Sequence, residues 1–296
     1  VKWPVYYWMW LTGLVFFIFT FIENYLWIFP YFREHFIADM TIQWKVNGSL
    51  VGAINQIIYG VAFYLMEKIS GDKKSSYQKL SFAMYFLGIF NLMFNWGHHI
   101  YLLPTEKYIH YIAYIVSMTE WIILIRIFYK WSKQIKENKQ FYYFFPYRFL
   151  MAADYWVTIN LTLALFMSIP AINLFTHGTH ITVAHAMGTT IGINTMIIIA
   201  AAFYFIKPTF NNSKWKRFGS ITFWVVQATL LLFLISLIGM GIHRALWQAG
   251  LANESFSKMS SSSGNWVILF IIFGTLLFLS MGTFILYLFI KSWKKN

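Results

Sequence analysis

Eight separate stretches of this chain run for about 20 residues or more with little interruption by charge, and nothing else in the sequence limits its folding as strongly. They lie approximately at residues 3–29, 43–66, 80–103, 108–129, 148–170, 179–206, 218–242 and 265–290. A helix rises about 1.5 Å per residue, so ~20 apolar residues cross a hydrocarbon core of about 30 Å while every backbone polar group is paired internally. The pattern predicts an all-α, polytopic membrane protein of about eight transmembrane helices, organised as a single transmembrane domain over 1–296. Composition agrees: 59% hydrophobic and 11% charged residues would leave a water-soluble protein covered in exposed apolar surface. The first stretch is too long and too rich in Trp and Tyr for a cleaved signal peptide, and it lacks a small-residue cleavage site, so it reads as a true span. A start at Val1, almost inside a helix, predicts processing or a split gene whose upstream part lies elsewhere. The longest polar links, 67–79 and 243–264, are too short to hold a core. Within the second, Ser260 to Ser263 with Gly264 read as a flexible connection.

A net charge of +13 raises the question of nucleic acid, but the placement of Lys and Arg answers it in favour of membrane orientation. The links after the second, fourth and sixth spans carry Lys68, Lys73, Lys74 and Lys79, then Lys130, Lys133, Lys136, Lys139 and Arg148, then Lys207, Lys214, Lys216 and Arg217; the tail adds Lys291, Lys294 and Lys295. Links on the other side hold only Arg33 and Lys45, then Lys107, then Arg244 and Lys258. By the positive-inside rule both termini are cytoplasmic, which requires an even number of spans. The partner surface is lipid, with no nucleic acid.

The chain has no cysteine, which removes disulfides, iron–sulfur clusters, Cys-ligated copper and CxxCH haem attachment. Any metal must therefore use His, carboxylate or Met. His98, His99, His177, His180 and His185 lie in or beside apolar spans, where an imidazole needs a partner. A lone intramembrane His usually hydrogen-bonds a neighbouring helix. Here the third span reaches His98 and His99 near its outer end, while the sixth starts outside and reaches His185 about 10 Å in. An adjacent pair at the depth of a third imidazole points to metal.

These residues carry a family resemblance. Gly97-His98-His99-Ile100-Tyr101, followed by Pro104, resembles the seventh helix of haem-copper oxidase superfamily catalytic subunits, where two neighbouring His hold the non-haem metal. Ile169-Pro170, Asn173 and the run Thr176-His177-Gly178-Thr179-His180-Ile181-Thr182-Val183-Ala184-His185 resemble the approach into their tenth helix, with the THGT wording of the nitric oxide reductase branch. Ser117-Met118-Thr119-Glu120 resembles that branch's eighth-helix motif, whose buried glutamate assists the metal site or its protons. The eight spans correspond in order to the family's helices five to twelve. The resemblance thus implies the carboxy-terminal two-thirds of a nitric oxide reductase haem-bearing subunit in a bacterial cytoplasmic membrane. It implies a high-spin haem b on His185, non-haem iron rather than copper on His98 and His99, and a second, low-spin haem b. It also implies two partners: a subunit or segment with the early helices, and an electron donor, either a cytochrome c subunit or quinol. The implied reaction takes two NO, two electrons and two protons to N2O and water.

Two positions depart from the family. Residues two apart on a helix point about 200° apart, so the family's two tenth-helix His serve two haems; here the pair is His185 and Met187. Methionine is a legitimate axial ligand and equally a filler of apolar gaps. In the sixth-helix equivalent, Thr41-Ile42-Gln43-Trp44-Lys45-Val46-Asn47-Gly48, Gln43 and Asn47 replace a metal-binding His and the Glu, or Tyr in oxygen reductases, one turn later. Amides do not titrate near neutrality. Asn47 cannot be the redox phenol of an oxygen reductase, and Gln43 is a candidate oxygen ligand to metal. Such amides also suit a nitric oxide dismutase, which would convert two NO to N2 and O2 with no net electrons, and they leave room for a non-catalytic subunit whose metal site has decayed. Glu120, about 18 Å deep by helical rise, is a proton-carrying candidate or a structural carboxyl. Glu23 and Asp154 are weaker proton-path candidates. His177 and His180 would bond haem propionates or face solvent. His35, His110 and His243 lie near span ends, and Trp3, Trp8 and Trp10 read as interface and packing residues.

Overall fold

The computed structural model describes residues 2–206 and 213–293; at 117, 118, 120–122, 124, 134, 138, 213, 291 and 292 only the backbone is described. Every regular element among the described residues is helical. In chain order these are α1 (Val5–Glu23), α2 (Pro30–Arg33), α3 (Phe36–Ser70), α4 (Lys79–Phe94), α5 (Lys107–Gln134), α6 (Glu137–Tyr142), α7 (Phe144–Ser168), α8 (Pro170–Thr176), α9 (His180–Met187), α10 (Met196–Ile206), α11 (Ser213–Gln248), α12 (Phe256–Ser262) and α13 (Gly264–Trp293). Short 3-10 segments occupy Leu26–Ile28, Lys73–Tyr77 and Asn95–Ile100, and a π-helical segment, Gly188–Thr195, joins α9 to α10.

Seven segments among the described residues are long and apolar enough to cross a membrane: Val5–Ile28, Phe36–Ser70, Lys79–Ile100, Phe144–Ser168, His180–Ile206, Lys214–Gln248 and Gly264–Ile290. The eighth expected span, 108–129, lies inside the continuous 28-residue α5, several of whose side chains are outside those described. The helix that carries the second span begins at Phe36, two turns before the expected 43, so Lys45 lies within a continuous helix and not in a link. Its ammonium pairs with Glu23 of α1, each side chain about three-quarters or more buried. A second expectation also changes: Ser260 to Ser262 are helical, in α12, not a flexible connection. Ser255 caps this helix by accepting from Lys258 N, and Ser262 and Ser263 donate back to Met259 O at 2.8 and 3.1 Å. Hydroxyls that bond their own backbone stabilise short turns, which is why a serine run can be ordered.

The chain packs as two compact units, residues 1–147 with 157–174, and residues 148–156 with 175–296. In the first unit α1 crosses α3 where Gly13 meets Ala53 and Ile57, and Gly60 meets Trp10, whose Nε1 donates to Ile57 O at 3.1 Å. Further along α3, Gly48, Ser49 and Gly52 form a small-residue stripe against Trp96 and Leu92, and Ser49 Oγ donates to Leu92 O at 2.9 Å. In lipid, helices gain little from the hydrophobic effect when they associate; close backbone approach and interhelical hydrogen bonds do that work. The carboxyl end of α3 stops at Gly71, in the left-handed region at φ 72°, whose N–H returns to Glu67 O. The second unit is centred on Phe149, Phe203, Phe223 and Phe284, ring centroids 5.2 to 5.8 Å apart. Trp156 Nε1 donates to Gln227 Oε1 at 2.7 Å, and Gly192 lets the π segment lie directly on the Trp156 ring. Phe278, Leu279 and Ile285 of α13 remain exposed, as a lipid-facing helix requires.

Candidate metal and haem ligands

In the first unit, α4 tightens after Phe94 into the 3-10 segment that carries His98 and His99. Their rings are half-buried, with centroids 4.1 Å apart and planes tilted by 42°. His98 Nδ1 lies 2.9 Å from Asn95 Oδ1. An amide oxygen only accepts, so Nδ1 donates and Nε2 keeps the lone pair that a metal needs. Trp44 of α3 stacks on His99 at 5.4 Å and 11°. Gly97, between Trp96 and the pair, lies against Ile109 and Ala113 of α5, where a Cβ would come within 2.9 Å of Ala113 Cβ. Asn173 of α8, almost fully buried, donates through Nδ2 to His98 O at 3.3 Å and Met167 O at 2.9 Å. The His pair is thus held by contacts from α3, α5 and α8.

Gln43 lies two turns into α3, half-buried, and Asn47 one turn later is exposed. The Asn47 amide turns back on its own helix, Nδ2 donating to Gln43 O at 3.0 Å. Tyr101 follows the pair; burial first, then Tyr114, pushes its hydroxyl up to about 12, so it stays protonated at any ordinary pH. Glu120 lies in α5, but its side chain is outside those described. His35 Nδ1 donates to Tyr31 O at 2.6 Å, and His110 Nε2 pairs with Thr105 Oγ1 at 2.9 Å.

In the second unit the run from Thr176 to Thr182 is closed by hydroxyls. Gly178 supplies φ 73°, Thr179 Oγ1 accepts from Ile181 N at 3.2 Å and donates to Thr176 O at 2.7 Å, and Thr182 Oγ1 donates to the same carbonyl at 2.9 Å. A non-glycine residue at Gly178 would be strained. Thr179 is the N-cap, so α9 starts at His180 with a fixed phase, and His185 and Met187 follow in the same helix. His180 is exposed; His177, His185 and Met187 are half-buried. Burial lowers the His177 pKa below its ordinary value, favouring the neutral ring. Directly after Met187 the backbone widens into the π segment, where Thr195 Oγ1 donates to Thr190 O, five residues back, at 2.7 Å. Such segments are rare and recur beside functional groups.

The donors present suit the groups that the motif implies. His98 offers an oriented imidazole nitrogen beside a second His. His185 offers a half-buried imidazole, a residue type that serves as an axial haem ligand. Within either unit, no three of His, Cys, Asp and Glu come together among the described residues, so the pair in the 3-10 segment needs donors of another kind or from elsewhere. Sequence reasoning missed Asn95 and Trp44 as partners of the pair. Asn95 had a readable signal, its position three residues before His98, but only a 3-10 turn makes that spacing a contact.

The sequence profile of the family described as cytochrome c and quinol oxidase polypeptide I matches residues 1–276. No curated protein sequence matches the chain. Among solved structures, a haem-copper terminal oxidase dimer determined by cryo-EM is similar, with TM-score 0.65 and 13% identity over 86% of this chain. That likeness concerns the fold, and this chain spans 49% of the oxidase chain.

Proposed function

The chain belongs to the cytochrome c and quinol oxidase polypeptide I family, and from that membership we propose that it is the catalytic membrane subunit of a nitric oxide reductase, coupling two NO to N2O and water. Membership gives a multi-pass oxidoreductase of the haem-copper superfamily. Against O2 as substrate one observation stands above the others: where oxygen reductases place their phenol, and nitric oxide reductases a Glu, stands Asn47, an amide bonded to its own helix. The THGT turn ahead of His185 adds to it.

His98 and His99 would hold non-haem iron, with Gln43 as a candidate oxygen donor; His185 would hold a high-spin haem b and Met187 a low-spin one. When bound, these centres supply the redox-active iron for NO reduction. Asn95 keeps the proton of His98 on Nδ1, Trp44 restrains His99, and Thr179 fixes the phase of the helix bearing His185. His177 and His180 would donate to haem propionates. Glu120 would carry protons to the site. Electrons would come from a cytochrome c subunit or quinol, and a further subunit or segment would supply the family's early helices. The lysine-rich links support both termini on the cytoplasmic side, and the reductase reading implies a bacterial cytoplasmic membrane.

The same Asn47 contact favours a second reading, a nitric oxide dismutase. An amide pair at Gln43 and Asn47 relays no protons, and converting two NO to N2 and O2 consumes none. Pyridine haemochrome spectra and iron analysis of the complex purified from membranes test both. Haem b with additional iron is expected; a complex with neither would be the non-catalytic subunit and would end both readings.

A further inference from the structure

Asn95 opens the 3-10 segment Asn95–Ile100, three residues before His98. With three residues per turn, side chains at i and i+3 eclipse, and this brings Asn95 Oδ1 to 2.9 Å from His98 Nδ1. An α-helix at this point would rotate the two about 60° apart. The backbone of His98 is held as well, because Asn173, 2% exposed, divides its Nδ2 between the carbonyls of His98 and Met167.

We propose that Asn95 is a positioning residue that fixes His98 as its Nδ1–H tautomer and aims Nε2 at the non-haem metal. The proposal rests on the metal-site reading above. A ligating imidazole whose second nitrogen donates to a fixed acceptor loses both tautomeric and rotational freedom, and its ligating nitrogen becomes more basic. An amide does this without adding a negative charge inside the membrane, where one is costly.

The test uses the full chain in its purified complex, stripped of non-haem metal. Nitrogen-15 NMR of labelled His98 should show the Nδ1–H tautomer, and Co2+ titration should show binding that His98→Ala abolishes. Asn95→Leu should mix the tautomers and weaken Co2+ binding by about 10- to 100-fold, while Asn95→Asp restores both. An Nε2–H tautomer in the parent protein overturns the proposal, as does an Asn95→Leu variant with unchanged tautomer and affinity. A parent protein that binds no Co2+, or binds it equally after His98→Ala, overturns the metal-site reading instead; the tautomer signal then still reports whether Asn95 orients the ring.

Discussion

Replacing Gly48 by alanine tests whether α3 sets the position of the His98–His99 pair. The new Cβ would lie 2.6 Å from Trp96 Cβ and 3.0 Å from Trp96 Cα, atoms that no rotamer change can move aside. Reaching ordinary contact at 3.4 Å requires the two backbones to separate by about 0.8 Å. Trp96 lies between Asn95 and His98 in one 3-10 turn, so the turn that carries His98 and His99 takes up that shift. Overpacking of this size costs roughly 1–3 kcal/mol, and a displacement near ~1 Å at a reacting centre costs about a hundredfold in rate. Gly282→Ala on α13 is the control, since nothing lies within 4 Å of its Cβ. Thermal unfolding, Co2+ affinity and NO turnover of both variants should single out Gly48→Ala, with turnover falling far more than stability. If Gly48→Ala matches the Gly282→Ala control in all three, α3 does not set the pair's position and the packing argument is wrong.

Thr179→Val removes a hydroxyl that both caps α9 and ties it to Thr176; a stability loss of about 1 kcal/mol is expected, with reduced haem content as the more sensitive readout. Burial holds the His177 pKa below its ordinary value of 6.5, so the folded state favours the neutral ring. The stability this gives is complete above pH 6.5 and is lost as pH falls through the depressed folded value. Melting curves from pH 7 to 5 should therefore fall less steeply for His177→Gln; identical slopes would remove His177 from the pH dependence. Glu120→Gln should slow NO turnover by about 10- to 1,000-fold if this carboxyl moves protons, and full turnover would exclude it.

Hydropathy made the spans legible because crossing lipid demands length and apolarity, both of which are written locally. The ends of α3 were less so: Asp39 and Lys45 break the apolar run, and only the Glu23 partner on α1 shows how Lys45 is accommodated within this helix. The serine run at 260–263 reads as a loop by composition, but the hydroxyls of Ser262 and Ser263 bond back to Met259 O and the run continues a short helix. Among the candidate ligands, His98 and His99 in one unit and His185 in the other stood out by type and spacing. Asn95, Trp44 and the π segment after Met187 did not, since each depends on a departure from α geometry or on a contact between helices far apart in the chain.

Mass spectrometry of the gas evolved when the reduced, purified complex is given 15N-labelled NO reaches the central claim most directly. Nitric oxide reductase chemistry predicts doubly labelled N2O with two electrons consumed per molecule and no O2. Labelled N2 with O2 would assign the chemistry to dismutation, and haem-loaded protein that leaves NO unconverted would contradict the account.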